Sequence, residues 1–524
     1  MRPDLLGDGP FEVRTGEALV TEETLPGVHE VMAGLQEGAH DLTFAAPGAG
    51  QATWAFPGGL RRGKPDRRLK LSMQSYTVAC NGSSSSLFLP QLPAWCTQDR
   101  RSSGATGSGT ARSSPSGPTW TSERGWRVSP QAISGRTAVV GIGVTEFSKA
   151  SGTTPLNLAA RASLRAIDDA GLSVSDIDGV VTYQYGRYPQ GQTYPADLAR
   201  TIGLDNTGYE LFSNLGGHQC CGAVATAAMA VHSGIAKNVL LYYGINGRTK
   251  WPTGSHRAAW PIEVTGTRQP EMAFGLFHPA ATFGLPVVAH MAKYGTTNLD
   301  MAHLAVTQRG NALLNTKAMM KRPLTVDEHQ ASPWVIYPYR QFDCCLQSDG
   351  AGAIVISSAE RARDLRRSPV HIHGYGGAID DKRTPWQTGG DKAAARLYAA
   401  AGLTPGDVDF AELYDPFTGV CMLQMENFGF APEGGSGEWV RASGNSLDGD
   451  TPVNTHGGLL SEGYLHGLNS VIEAVQQLRR GGVVDDLCDG PHDYDRSRCR
   501  QVRDAEVGLV CGESGGSALL LTAG

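Results

Sequence analysis

The chain has 524 residues, of which 40% are hydrophobic and 18% are charged, and it contains 67 glycines. Single hydrophobic cores stop growing at roughly 250 to 300 residues, so a chain of this length predicts at least two folded regions. A net charge of -6 and a pI near 6.2 exclude the strongly basic surface that nucleic-acid binding requires.

The first 135 residues show little periodicity, and residues 99–118 are rich in Gly, Ser and Pro. Such a composition buries too little apolar surface to offset chain entropy, so residues 1–135 are predicted to be a largely disordered extension. The same bias fits a mis-annotated start or a frameshift in a high-GC gene, and a genuine N-terminal domain is the alternative. The chain start lacks the apolar core of a signal peptide, and no run reaches the roughly 18 apolar residues that span a bilayer. These features predict a cytoplasmic protein.

A truncated chain tests the prediction for this extension. A protein that begins at Ser134 should match or exceed the full chain in soluble yield and in its unfolding midpoint, because a polar, aperiodic segment adds little to a folded core. Thermal unfolding of both proteins, followed by circular dichroism, provides the measurement. Loss of folding in the shorter chain would show that the boundary lies elsewhere.

Regular patterning begins at Arg136. Residues 137–145 have the composition of a buried strand, residues 155–167 have apolar positions at helical spacing, and residues 179–183 predict a second strand. This alternation of strand and helix predicts an α/β fold. The 10 cysteines include no Cys-x-x-Cys spacing, so no metal site is predicted and free thiols are expected.

An internal repeat is the strongest evidence on architecture. Residues 170–178 read AGLSVSDID and residues 401–409 read AGLTPGDVD, and each segment lies between an alanine-rich helix and a strand. A second pair of helix–strand units, 223–243 and 468–510, follows in the same order. Two matches in order predict a duplication, with one half at residues 136–365 and the other at residues 366–524.

Two segments of the second half carry a family resemblance. Residues 454–467 read NTHGGLLSEGYLHG and resemble the active-site signature of the thiolase superfamily, in which Asn-x-x-Gly-Gly leads into Gly-His-Pro-x-Gly. Residues 412–417 read ELYDPF and resemble the Glu-x-His-Asp-x-Phe segment of sterol carrier protein x type thiolases. Tyr464 and Tyr414 occupy the places of the two histidines. The resemblance implies a thiolase-like duplicated α/β/α/β/α layered sandwich over residues 136–524.

In thiolases the nucleophilic cysteine lies at the start of a buried helix, where helix N–H groups lower its pKa. Counting back from Gly234 without a gap puts Gly217 at that position, with Cys220 and Cys221 about one turn later. The resemblance therefore implies that the nucleophile is missing. A small insertion that lets Cys220 or Cys221 serve as nucleophile is the alternative, and burial as small side chains is the plain structural explanation of both.

The double tyrosine pattern is similar to that of thiolase-like aldolases, also known as lipid-transfer proteins, which degrade steroid side chains. The resemblance implies a retro-aldol cleavage of a β-hydroxyacyl-CoA into a ketone and a short acyl-CoA, with the CoA thioester as substrate and no bound cofactor. It assigns Tyr414 and Tyr464 to proton transfer, and Asp415 and His456 to orienting them. The residues that it places in the substrate pocket are Gly217, His218, Cys220, Asn454, Gly457, Gly458 and Cys511.

Two other functions stay open at this point. One is an acyltransferase that uses Cys220 or Cys221, and the other is a non-catalytic protein that binds acyl-CoA or sterols. The structural alternative for Asp415 and His456 is a turn cap and a loop side chain. The resemblance also implies a homodimer and, for the aldolases, a partner protein with an OB-fold and a zinc ribbon.

Overall fold

The computed structural model describes six short strands before residue 90 and then residues 132–184, 193–214, 216–250, 276, 278–378, 388–479 and 494–524. The chain divides into two compact units, Met1–Pro115 and Ser116–Gly524. In the first unit, four strands form an antiparallel sheet in the order β2-β1-β3-β4, and β5 pairs with β6. These strands are β1 Glu12–Thr15, β2 Ala18–Thr21, β3 Asp41–Ala45, β4 Gln51–Ala55, β5 Thr77–Cys80 and β6 Ser83–Ser86. The prediction that residues 1–135 are largely disordered concerns a range that, apart from these six strands, lies almost entirely outside the described residues.

The second unit alternates strands and helices. Its strands are β7 Thr137–Val144, β8 Gly179–Tyr183, β9 Tyr209–Ser213, β10 Asn238–Asn246, β11 Trp334–Ile336, β12 Tyr339–Arg340, β13 Asp349–Ser358, β14 Val370–Gly377, β15 Phe410–Glu412, β16 Val507–Cys511 and β17 Ser517–Ala523. Its α-helices are α1 Pro155–Ala170, α2 Pro195–Ile202, α3 Cys220–His232, α4 Gly247–Lys250, α5 Pro279–Tyr294, α6 Asn298–Leu313, α7 Val326–Ala331, α8 Ala359–Ala362, α9 Gly390–Ala401, α10 Thr418–Asn427, α11 Ser436–Arg441, α12 Gly458–Ser461 and α13 Leu468–Leu478.

A nine-stranded sheet contains the same strand arrangement twice, in the order β15-β16-β17-β14-β7-β13-β10-β8-β9. In the first half, β8 and β10 are parallel, and β13 and then β7 add antiparallel to them. In the second half, β15 and β16 are parallel, and β17 and then β14 add antiparallel. The counterpart of β9 is reduced to a parallel bridge between Ala411 and Val453. The halves meet where β7 pairs with β14.

Side chains that alternate along each strand enter different cores, which produces layers. In β10, Leu241 lies in a central core, and Leu240 lies in an outer core with α1. In β17, Leu521 lies in the same central core, and Leu520 lies in a second outer core with α9 and α10. Helices α3 and α13 fill the central core between the half-sheets. This arrangement confirms the predicted thiolase-like duplicated α/β/α/β/α layered sandwich.

Matching hydrogen bonds build the repeated segments. Helix α1 is terminated by Gly171 at φ 73° and helix α9 by Gly402 at φ 69°, both in the left-handed region that favours glycine. Asp178 then accepts N–H groups at the start of β10, and Asp409 accepts N–H groups at the start of β16. Each aspartate therefore joins a helix–strand turn to the neighbouring parallel strand.

Helix α3 shows why the central layer needs small residues. It begins at Cys220, three residues before the predicted start at Ala223, and its alanines, glycine and cysteines are buried along its length. Larger side chains would overpack a helix that lies between two sheets. Within the described ranges, no helix combines the length and apolar character that crossing a bilayer requires.

The cysteines require one correction. Cys220, Cys221, Cys344, Cys345, Cys421 and Cys511 are free thiols, as expected. Cys499 is disulfide-bonded, so the prediction of free thiols is wrong at this position. The absence of Cys-x-x-Cys spacing argues against a metal site, but it does not exclude a pair that folding brings together from other spacings.

Candidate active site

Two loops meet at the carboxyl edge of the parallel strands in the second half. One loop follows β15 and carries Tyr414 and Asp415, and the other spans residues 454–467. Asn454 joins them, because its Oδ1 accepts a hydrogen bond of 2.7 Å from the Leu413 N–H. Asn454 has φ 52°, a left-handed conformation that asparagine adopts more readily than most residues. The carboxyl edge of parallel strands is where α/β proteins commonly bind ligands.

Tyr414 and Tyr464 form the centre of the site, and we call them the tyrosine pair. Their hydroxyl oxygens are 2.8 Å apart, which is a hydrogen-bond distance. Tyr414 is fully buried, whereas Tyr464 is partly exposed. Burial raises the pKa of both phenols well above 10. Both hydroxyls therefore carry their protons at neutral pH.

Gly217 lies directly against the Tyr414 hydroxyl. A Cβ on Gly217 would overlap the hydroxyl oxygen and the ring atoms next to it. The φ of Gly217 is not in the left-handed region, so the requirement for glycine is steric and not conformational. The phenol of Tyr414 thus fills the space into which a side chain at residue 217 would project. This geometry agrees with the predicted absence of a nucleophile at that position.

Cys220 and Cys221 are fully buried at the start of α3. The Cys220 Sγ packs against Gly467, where an added Cβ would lie 2.8 Å from the sulfur. The Cys221 Sγ lies 3.7 Å from the Cys220 Sγ and 3.6 Å from the Val510 carbonyl oxygen. Burial raises the pKa of the Cys221 thiol, which disfavours the thiolate. The same position at Gly467 also borders the Tyr414 ring, since an added Cβ there would lie 3.1 Å from Tyr414 Cδ2.

Replacing both Cys220 and Cys221 by alanine should leave most catalytic activity, because Tyr414 and not a thiol occupies the space above Gly217. The free energy of unfolding should fall by roughly 1 to 3 kcal/mol, as buried side-chain atoms are removed. Steady-state kinetics and chemical denaturation measure the two effects. A loss of several hundredfold in kcat from a folded double variant would support the acyltransferase alternative.

Asp415 is fully buried beside the second loop. Its Oδ1 accepts a 2.9 Å hydrogen bond from the Leu459 N–H, and its Oδ2 lies against Gly458. A Cβ on Gly458 would overlap this carboxylate oxygen, and Gly458 has φ 65°, so both space and conformation require glycine. Burial raises the pKa of Asp415 to about 7. Asp415 thus holds the loop in place behind the tyrosine pair.

His456 belongs to a buried ionic network. Its Nδ1 lies 2.8 Å from Glu412 Oε2, and its Nε2 lies 3.6 Å from Glu462 Oε2. Burial alone would lower the pKa of His456, but the carboxylates of Glu462 and Glu412 outweigh it and raise the pKa to about 10. These contacts join the loop to β15. The proposed orientation of the tyrosines by His456 is thus not a direct contact, and that role stays a prediction.

The other residues that the resemblance places in the substrate pocket differ in how deeply they are buried. His218 is partly exposed, and its ring lies over Gly516, whereas Gly457 faces Ala312 of α6. The Cys511 thiol donates to the side-chain oxygen of Gln424 and is fully buried, which raises its pKa. Across the described residues, no group of three or more His, Cys, Asp or Glu side chains could hold a metal ion.

A cluster of aromatic residues behind Tyr464 was missed by the sequence analysis. The ring of His466 packs on Tyr464 with centroids 4.5 Å apart, and its Nδ1 lies 2.5 Å from the Tyr243 hydroxyl. The Tyr183 hydroxyl donates to the His466 carbonyl at 3.1 Å. Burial lowers the pKa of His466 to about 3, so this ring is neutral. Its place in the loop signature was the signal that could have identified it.

Several known proteins resemble this chain in sequence and in fold. Residues 375–487 match a family model described as thiolase C-terminal domain-like. The chain is 37% identical over 365 residues to the 17-hydroxy-3-oxo-4-pregnene-20-carboxyl-CoA lyase of Mycobacterium tuberculosis, covering 67% of this chain and 93% of the relative. It is 38% identical over 365 residues to the steroid side-chain-cleaving aldolase of Thermomonospora curvata, covering 67% and 92%. A solved structure named Ltp2-ChsH2(DUF35) aldolase superposes with a TM-score of 0.65 at 34% identity, covering 75% of this chain and 99% of that one.

Proposed function

Because the chain belongs to the thiolase-like family that includes steroid side-chain-cleaving aldolases, we propose that it cleaves a carbon–carbon bond of a β-hydroxyacyl-CoA by a retro-aldol reaction. The acyl group is a steroid side chain with a tertiary β-hydroxyl, and the products are a ketone and a short acyl-CoA. The enzyme is thus a lyase. One observation carries this proposal: the Tyr414 phenol occupies the space above Gly217 and is paired at 2.8 Å with Tyr464.

The reaction class suits such a site. A retro-aldol cleavage transfers protons and forms an enolate of the thioester, but it forms no covalent bond to the enzyme. Two phenolic hydroxyls that hold their protons can donate hydrogen bonds to the developing enolate and later a proton. Acyl transfer would instead need a reactive thiolate, and the thiols of Cys220 and Cys221 are buried in the core.

A product analysis tests the function. The protein is incubated with 17-hydroxy-3-oxo-4-pregnene-20-carboxyl-CoA, the substrate in the name of the Mycobacterium tuberculosis relative, and the products are identified by mass spectrometry. The expected products are the steroid ketone and propionyl-CoA. Acyl transfer that depends on added free CoA would identify an acyltransferase. Saturable binding of the CoA thioester without turnover, even when a DUF35 partner protein is added, would identify a binding protein.

Partner proteins form a second part of the proposal. The similar solved structure is named for two components, Ltp2 and a DUF35 protein. We infer that this chain also works with a partner that contains an OB-fold and a zinc ribbon, and that it forms a homodimer. The chain is co-expressed with the DUF35 protein from the same genome. Size-exclusion chromatography with light scattering then tests both the complex with the partner and the dimeric state of the chain. A monomeric chain that cleaves the substrate alone at full rate would contradict this part.

A further inference from the structure

The backbone of Tyr464 is held by the first half of the fold. Its N–H donates a 2.8 Å hydrogen bond to the hydroxyl of Ser348, which is buried just ahead of β13. The position of the phenol then depends on the two rotatable bonds of the side chain. A reacting group must be held to within about 0.5 Å and 10 to 20° of its working geometry. Proton transfer by Tyr464 therefore needs a neighbour that limits the rotation of its ring.

The ring of His466 is such a neighbour. Its centroid lies 4.5 Å from that of the Tyr464 ring, and the two planes meet at 58°, so the rings are in direct contact. The far end of the Tyr464 side chain is the hydroxyl, which lies 2.8 Å from the Tyr414 hydroxyl. Loss of the His466 ring would free the Tyr464 ring to rotate and would lengthen the distance between the two hydroxyls.

His466 is itself held by two tyrosines of the first half. Its Nδ1 lies 2.5 Å from the Tyr243 hydroxyl, and its carbonyl oxygen accepts a 3.1 Å hydrogen bond from the Tyr183 hydroxyl. One contact orients the ring, and the other holds the backbone. The two tyrosine rings are buried and stacked with centroids 5.1 Å apart. Strands β8 and β10 are parallel neighbours, and the two tyrosines directly follow the last pair of their register.

The backbone of His466 requires this support. Its φ is 49°, in the left-handed region that residues other than glycine rarely adopt. Such conformations are costly and persist only where the surrounding contacts determine them. Gly467 follows at φ 92°, and an added Cβ there would lie 2.8 Å from the Cys220 Sγ. Contacts with the first half therefore hold the turn that follows Tyr464.

We propose that His466, anchored by the Tyr243 hydroxyl, is a positioning residue that keeps the Tyr464 hydroxyl in place for proton transfer. This inference rests on the proposed function. In this role His466 acts through Tyr464 and exchanges no proton with the substrate. The link runs from β10 of the first half to the loop of the second half, so the packing of the two halves sets the geometry of the tyrosine pair.

Two substitutions separate the links of this chain of contacts. Tyr243→Phe removes only the hydroxyl that contacts His466, and His466→Asn removes the ring that contacts Tyr464. Asparagine tolerates the left-handed backbone at residue 466, and its side-chain amide can hydrogen-bond to the Tyr243 hydroxyl as Nδ1 does. We expect kcat to fall by about tenfold in Tyr243→Phe and by about 10² in His466→Asn, with KM changed by less than about twofold.

Tyr242→Phe is the matched control. Tyr242 is the neighbouring buried tyrosine of β10, its side chain lies in the outer core, and its hydroxyl donates to the Thr193 carbonyl at 2.8 Å. The variant should leave kcat unchanged while lowering the unfolding midpoint about as much as Tyr243→Phe does.

A double-variant series separates positioning from a merely structural role. Adding Tyr243→Phe or His466→Asn to Tyr464→Phe should cost almost nothing more in kcat, because the hydroxyl that they position is already absent. Crystal structures report the position directly. The hydroxyl oxygens of the tyrosine pair should stay within hydrogen-bond distance in the wild type and in Tyr242→Phe, and should separate beyond about 3.5 Å in His466→Asn.

The outcomes separate this inference from the proposed function. If the wild type cleaves the steroid thioester, near-normal kcat in both Tyr243→Phe and His466→Asn overturns the positioning role and leaves the function intact. An equal loss of kcat in the wild-type and Tyr464→Phe backgrounds also overturns it. If the wild type cleaves no substrate, the proposed function is overturned, and an unchanged distance between the hydroxyls in His466→Asn overturns the positioning role as well.

Discussion

Removing either phenolic hydroxyl, by Tyr464→Phe or Tyr414→Phe, should lower kcat by about 10² to 10⁴ if each acts in proton transfer. The rings stay in place, so packing should survive, and substrate binding should change little. The two hydroxyls are 2.8 Å apart and act in one sequence of proton transfers. The double variant should therefore be far less impaired than the product of the two single effects predicts. Stopped-flow or steady-state kinetics on all four proteins supply the measurement.

A matched control separates the chemistry from the loss of a buried hydroxyl. Tyr398→Phe removes a hydroxyl that donates to the Phe428 carbonyl at 2.8 Å, in the same outer core but outside the pair. It should cost roughly 1 kcal/mol of stability and leave kcat nearly unchanged. Near-normal turnover in both Tyr464→Phe and Tyr414→Phe would remove the chemical basis for proton transfer by the pair.

Gly217→Ala should lower kcat by about 10² or more, because an added Cβ overlaps the Tyr414 hydroxyl and displaces it. A misplacement of about 1 Å at a reacting group can cost this much. The φ of Gly217 suits alanine, so the backbone contributes no separate penalty. The kinetic assay is the same, and the unfolding midpoint shows whether the fold survives.

Gly310→Ala is the control for this substitution, since Gly310 lies in α6 and an added Cβ there would meet no atom within 4 Å. It should leave kcat unchanged and stabilise the helix by up to about 1 kcal/mol. Because Gly217→Ala acts through Tyr414, adding Tyr414→Phe to it should cost little more. A fully active Gly217→Ala variant would mean that Tyr414 can move without consequence.

Gly217 and Tyr414 together distinguish this site from that of the thiolases whose fold the chain shares. In the thiolases that the sequence resembles, a nucleophilic cysteine occupies the position of Gly217, and a histidine occupies that of Tyr414. Here the Tyr414 phenol fills the space that glycine leaves open at residue 217. A larger residue at position 217 would collide with the phenol, and a residue without the aromatic ring at position 414 would leave a cavity. We therefore expect Gly217 and Tyr414 to function as a unit.

The repeated halves could be predicted from the sequence because they depend on local rules. A glycine ends a helix by adopting positive φ, and Gly171 and Gly402 do so. The aspartates of the repeat bind N–H groups of the neighbouring strand, as in Asp178 with Asn238. Glycine conformations and turn hydrogen bonds involve residues that are close in sequence, so their pattern is visible without coordinates.

Much of the site could not be predicted in this way. The sequence indicated that Tyr414 and Tyr464 matter, and the structure brings their hydroxyls into contact. The resemblance placed Gly458 in the substrate pocket, which stays a prediction, and only the structure shows that Gly458 makes room for the Asp415 carboxylate. The contacts of His456 with Glu412 and Glu462 depend on how a loop packs over a strand.

By itself, the sequence determined the α/β alternation and the duplication, and its resemblance to thiolases implied the layered sandwich, the missing nucleophile at Gly217 and the importance of the two tyrosines. The tertiary structure decided which groups face the tyrosine pair. Gly217 illustrates the reason: it belongs to the first half and Tyr414 to the second, and only the packing of the two halves sets Gly217 against the Tyr414 hydroxyl. Contacts between residues far apart in the chain arise from strand pairing and layer packing, which local patterns do not encode.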